Sequence, residues 1–164
     1  MKKLLLTTLL ASSLTHAADI QNIGDWSQAE PSLIIGFASR HIDSDDHKYL
    51  NESNPAIGVE AWDIQAIYVK HNSWNHESLY LTYAPDWKIN RYITLTAQAG
   101  IATGYKCNLS MISDEIDYHN TSCTKSGVTP LAAATVSIRP FKNNFAVDLS
   151  INPSVAMFSV SYYL

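Results

Sequence analysis

The sequence predicts an all-β protein, an eight-stranded antiparallel outer-membrane β-barrel preceded by a cleaved signal peptide. Three observations carry this. The chain closes on Ser154 to Leu164, where Ala156, Phe158, Val160, Tyr162 and Leu164 alternate with Met157, Ser159, Ser161 and Tyr163. One face is apolar and the other mostly small or polar, as in the closing strand of a barrel wall. The chain opens on Lys2 and Lys3, an apolar run from Leu4 to Leu14 and a small-x-small site at Thr15-His16-Ala17, the three parts of an export signal. That run is too short for a helical span, which needs about 20 residues, and no other uncharged apolar run of its length follows. In between, turn chemistry separates extended segments whose connections alternate between short and long. A barrel with short periplasmic turns and long surface loops has that asymmetry; a soluble sandwich has no reason for it.

Residues 1–17 are expected to be the signal peptide and 18–164 a single barrel domain, since no linker, repeat or low-complexity tract divides them. The first strand spans Ser32 to His41. Ala56 to Trp62 and Ile64 to His71 follow as a hairpin with hardly any loop. His76 to Trp87 is the fourth segment, and the polar turn Lys88 to Arg91 leads into the fifth, Tyr92 to Tyr105. There Ile93, Leu95, Ala97, Ala99, Ile101 and Thr103 share one face, and Thr94, Thr96, Gln98, Gly100, Ala102 and Gly104 the other. Val128 to Arg139 is the sixth. In the seventh, Phe145 to Ile151, Phe145, Val147, Leu149 and Ile151 oppose Asp148 and Ser150; the terminal strand is the eighth. An even count brings both termini to the same side. The connections Trp62 to Asp63, Lys88 to Arg91 and Pro140 to Asn144 are short, whereas Ile42 to Pro55 and Lys106 to Gly127 are long. Trp26, Trp62, Trp74 and Trp87 fall at or just outside segment ends, where an aromatic belt forms at the bilayer boundary.

Charge excludes one class of function. Loss of Lys2 and Lys3 takes the formal charge from -4 to about -6, and the remaining cations are scattered, so no nucleic-acid partner is expected. No cofactor or metal is expected either: Asp43, Asp45, Asp46 and His47 lack the spacing and glycine turn of a calcium loop and read as a solvated surface loop. Cys107 and Cys123 share one long loop; export favours a disulfide, worth roughly 3 kcal/mol for a loop of that length.

The interior of an eight-stranded barrel is just wide enough to be filled by side chains or to hold one small ligand, so chemistry is expected at a rim. A hydroxyl becomes a useful nucleophile only with a base such as His within hydrogen-bond reach. His41 ends the first segment and Asn72-Ser73 the third, at one rim. His41 and Ser73 are therefore the candidate catalytic pair; the alternative is a polar strand end beside an ordinary turn at Asn72-Ser73.

Arg40-His41, Tyr49-Leu50-Asn51-Glu52, Ile57-Gly58-Val59-Glu60 and Ile67 through Asn75, then more thinly Ala99-Gly100, Pro130-Leu131-Ala132 and Asn152-Pro153, make the chain resemble the outer-membrane lipid A palmitoyltransferase family (PagP). The resemblance implies an acyl chain held in the lumen and palmitate transfer to lipid A, with phospholipid and lipid A as partners of a monomeric barrel. It places the family's His on His41, its Ser on Ser73 and its Asp on Asn72, and it relates Pro130 and Pro153 to prolines that interrupt strand pairing. Two departures stand beside it. An amide at position 72 cannot accept a proton as a carboxylate does, and Ala18 to Glu30 shows no clear face for the family's amphipathic N-terminal helix. Two expectations follow: an enzyme acting on lipid A or phospholipid acyl chains by transfer or hydrolysis, or a non-catalytic small barrel with a structural or surface-interaction role.

Overall fold

A computed structural model of the chain describes residues 26–42, 50–106, 124–140 and 143–164. The expected signal peptide, the Cys107–Cys123 disulfide and the acidic run at Asp43, Asp45, Asp46 and His47 lie outside the described residues. Among the described residues ten strands form one antiparallel sheet: β1 (Trp26–Ser27), β2 (Ser32–His41), β3 (Ala56–Ala61), β4 (Ile64–Val69), β5 (Ser78–Tyr83), β6 (Asp86–Lys88), β7 (Ile93–Ala102), β8 (Thr129–Ile138), β9 (Phe145–Ile151) and β10 (Val155–Tyr163).

The sheet closes on itself. β2 pairs with β3 on one side and with β10 on the other, and the circuit returns through β9, β8, β7, β5 and β4. β5 and β6 are one stave with a common register against β7, from Tyr83↔Ala99 to Asp86↔Thr96. The interruption at Ala84-Pro85 follows from a proline that has no N–H to donate, while its carbonyl still accepts from the Ala97 N–H at 3.2 Å. The barrel is therefore eight-stranded, as expected, with β1 added outside the circuit. β4 begins only at Ile64, which leaves a flank of β6 open; β1 pairs there, Trp26 opposite Trp87, with ring centroids 6.0 Å apart. This short strand lies in a region that shows no strand pattern in the sequence.

Trp62 and Asp63 join β3 to β4 with φ of 53° and 62°, the twist a two-residue hairpin needs. Asp63 Oδ1 accepts the Ala29 N–H at 2.6 Å, so this turn also fixes the chain between β1 and β2. The opposite end of the barrel carries the long connections.

Alternation sorts the side chains as expected. Leu33, Ile35, Ile57, Val59, Leu79, Leu81, Val147 and Phe158 are among the large apolar residues exposed on the outside, where lipid is their solvent. Ile93, Leu95 and Val160 share that outer face, while Thr94, Thr96 and Gln98 are buried inside. Trp26, Trp62 and Trp87 are exposed near the short-turn end and make the expected belt. Trp74 does not: it lies at the other end, on the lining of an internal cavity.

The interior has two halves. Toward the short turns it is polar and filled. Thr96 Oγ1 donates to Asp86 at 2.6 Å and Gln98 to Gln65 at 3.2 Å, while the Thr135 hydroxyl meets that of Ser150, on the lining of the cavity, at 2.6 Å. At the rim Glu30 bridges Lys88 at 2.7 Å and Arg139 at 2.8 Å, and Arg139 lies 3.5 Å from the Tyr163 ring centroid. Burial pushes the Glu30 carboxyl up, but the Lys88 hydrogen bond and the Arg139 charge outweigh it and hold the carboxyl below its usual value. Toward the long connections the interior turns apolar: Val69, Tyr80 and Ala102 are buried, with Ile67, Tyr105, Leu131 and Met157 packed against them.

Charge facing hydrocarbon costs about 2–4 kcal/mol at the midplane and about 0–1 near the interfaces. Val160→Arg should therefore lose that larger amount in reversible folding into vesicles, and Leu164→Arg, at the rim, much less; equal losses would contradict the outward assignment of β10. Because Glu30 has a lowered folded-state pKa, its stabilisation is present above the unfolded value and is lost as pH falls through the folded one. Glu30→Gln should thus be less stable than wild type at neutral pH, and the two denaturation midpoints should converge on acidification.

Candidate functional site

The strand that carries the site changes parity before it reaches it. Along β2, Ser32, Ile34 and Gly36 point inward, and strict alternation would send His41 out into lipid. Ser159 of β10 pairs with Gly36, but Phe158 pairs with Ala38, so Phe37 is an extra residue, a β-bulge. One inserted residue exchanges the faces beyond it. Ser39 and His41 are accordingly buried inside, and Arg40 is exposed.

Residues 51–54 run beside this upper part of β2 and tie it to the segment after β4. The Ser39 N–H donates to the Glu52 carbonyl at 2.9 Å, and the Asn51 N–H to the Ser73 carbonyl at 2.9 Å. Asn54 accepts from the Ser39 hydroxyl and donates to the His71 carbonyl. Asn72 anchors the turn from within. Its Oδ1 accepts the Trp74 and His76 N–H groups at 2.8 and 3.0 Å, and its Nδ2 donates to Ser78 Oγ at 2.7 Å and the Gly104 carbonyl at 3.1 Å. With both ends of the amide engaged, the side chain is 1% exposed.

This framework brings together two of the residues the sequence singled out: His41 Nε2 lies 3.0 Å from Ser73 Oγ. Asn72 is adjacent in sequence, but its side chain turns into the wall and holds the turn. Sequence reasoning missed Glu52. Its Oε1 accepts the His41 backbone N–H at 3.1 Å and lies 3.6 Å from His41 Nδ1, while Oε2 pairs with Arg40 at 2.9 Å. The available signal was the polar run Asn51-Glu52-Ser53-Asn54 just ahead of β3, which must pass the strand end that carries His41.

Below these residues lies a cavity of about 450 Å³, with His41, Ser73 and Trp74 on its lining together with Ile67, Tyr80, Leu131 and Met157. The Tyr80 and Tyr105 hydroxyls meet at 2.6 Å on its wall. Pro130 belongs to the stretch of β8 that rises past β9, whose pairing with β8 stops at Ala134↔Ile151; Pro153 sits in the turn from β9 to β10. Among the described residues no cluster of His, Cys, Asp and Glu is able to hold a metal ion.

No family model matches the chain. Over 162 residues it is 27% identical to the attachment invasion locus protein of Yersinia enterocolitica, spanning 87% of this chain and 86% of that protein. A solved structure, that of the Yersinia pestis outer membrane protein Ail in a phospholipid bilayer nanodisc, is similar with a TM-score of 0.46 at 18% identity, over 84% of this chain and all of that one. The likeness to the attachment invasion locus protein runs through nearly the whole chain. It overturns the resemblance to the lipid A palmitoyltransferase family, which rested on short motifs. The reading of the chain as an enzyme acting on lipid A or phospholipid acyl chains falls with it. The structure supplies a physical counterpart: position 72, where that family has a carboxylate, holds an amide committed to four structural hydrogen bonds.

Because Asn72 uses its two N–H donors as well as its oxygen, neither Ala nor Asp replaces it. Asp would set a carboxylate oxygen against the Gly104 carbonyl, and stranding buried partners costs about 1–3 kcal/mol. Asn72→Ala and Asn72→Asp should both lose stability on that scale in denaturant unfolding from lipid vesicles. An unchanged midpoint for Asn72→Asp would contradict the anchoring role.

Proposed function

We propose that this outer-membrane barrel has a surface-interaction role, carried by the extracellular connections, and that it attaches the cell bearing it to another surface. The observation that carries this reading is the similarity to the attachment invasion locus protein across 87% of the chain. The division of the molecule supports it. The inner end is closed by turns as short as Trp62-Asp63, whereas the chain between β2 and β3 and between β7 and β8 is long, and binding surfaces concentrate on such loops held by a rigid scaffold.

Residues 1–17 direct export and are removed. The barrel works as a monomer, its outer wall facing phospholipid in one leaflet and lipid A in the other as solvating lipids. The filled polar half of the lumen fits a scaffold better than a channel, because its side chains occupy the space water would need.

Display of the full chain in the outer membrane of a non-adherent bacterial host should raise attachment to cultured epithelial cells above the vector control. Replacement of residues 107–123 by a short Gly-Ser linker should reduce it while the barrel still folds, as read by circular dichroism and the heat-dependent gel shift. Attachment equal to the vector control would count against the reading.

A further inference from the structure

We infer that Ser73, His41 and Glu52 form a nucleophilic hydrolase site at the extracellular mouth, taking a small carboxylic ester whose apolar acid half enters the cavity. This goes beyond the attachment role and is independent of it. Three things are required of such a site: a hydroxyl on a base, a carboxylate behind the base, and space for a substrate at the hydroxyl. Ser73 Oγ lies 3.0 Å from His41 Nε2. Glu52 Oε1 lies 3.6 Å from the other ring nitrogen and accepts the His41 backbone N–H. That distance is an electrostatic contact rather than a hydrogen bond, and such contacts tighten when substrate is bound. The cavity of about 450 Å³ has both His41 and Ser73 on its lining and is apolar beneath them.

The bulge in β2 turns His41 inward, and the Asn72 anchor and the Asn51 bond to the Ser73 carbonyl hold the backbone from which the Ser73 hydroxyl meets it. In the reaction, Ser73 Oγ adds to the ester carbonyl carbon as its proton passes to His41 Nε2. The ester C–O bond breaks, and the alcohol leaves with that proton. Water then gives a proton to His41 and attacks the acyl-serine; the acid is released and Ser73 Oγ recovers its hydrogen from His41. The net change is ester plus water to acid plus alcohol. Glu52 is a positioning residue: its carboxylate lies behind the ring and orients the imidazole.

The test uses the full folded barrel in detergent or nanodiscs, with a fluorophosphonate probe and p-nitrophenyl butyrate and octanoate as substrates. Wild type should be labelled and should hydrolyse the esters, with labelling absent in Ser73→Ala and the rate at least about 100-fold lower in His41→Gln. Glu52→Gln should lower kcat, and the acid limb of its pH–rate profile should shift to lower pH because His41⁺ loses its carboxylate; an unshifted limb would remove Glu52 from the site. Circular dichroism and the gel shift report folding of each variant. Folded wild type that neither labels nor exceeds Ser73→Ala in ester hydrolysis would overturn the proposal.

Discussion

In hydrocarbon no water is available to backbone N–H and C=O groups, so a sheet persists there only if it has no edge. Everything else in this molecule depends on that closure. It is made where β10, the last strand, pairs with β2, the first full stave, from Tyr163↔Ser32 up to Val155↔His41. The same demand explains β1, which occupies the flank of β6 that the short β3–β4 hairpin does not reach, and it explains why Pro85 is tolerated where the stave breaks without losing register. Lipid on the outside then requires an apolar face, and the pleat leaves every second side chain to the interior.

What fills that interior differs between its ends. The lower half is a polar packing problem in a narrow tube, solved by hydroxyls, amides and carboxylates that bond to one another and by Glu30 between two cations. The upper half is lined by Ile67, Val69, Tyr80, Leu131 and Met157 and retains a cavity. The bulge at Phe37 links the closing seam to the mouth. The extra residue that disturbs the β2–β10 ladder is what turns His41 from the lipid face to the cavity, so the wall and the site are parts of one register.

The eight staves were legible because lipid imposes a uniform apolar face with period two, and segments such as Phe145 to Ile151 carry it without exception. The nearness of His41 and Ser73 was legible from topology, since both lie where chains run outward. Other features depend on tertiary relations that no local pattern carries. The parity change in β2 leaves Phe37 and Ala38 looking like ordinary alternating strand residues. β1 exists because of a gap in another part of the sheet. Trp74 reads as a belt residue until the turn it follows is seen to be anchored by Asn72. Glu52 reaches His41 only because the chain leading into β3 is bonded to the upper part of β2. Motif likeness misled where it outran the residues: a short Asn-Ser-Trp-Asn match suggested lipid A chemistry that similarity across the chain does not support.

The central claim is a barrel closed by β10 on β2 with one residue left out of register. Cross-strand amide NOEs from the protein in lipid nanodiscs test it directly. The account predicts contacts between Val160 and Ile35, Ser159 and Gly36, and Phe158 and Ala38, with Phe37 skipped. Absence of any β2–β10 contact would mean an open sheet, and a continuous ladder placing Phe158 opposite Phe37 would remove the bulge that brings His41 inside; either result would contradict the structure described.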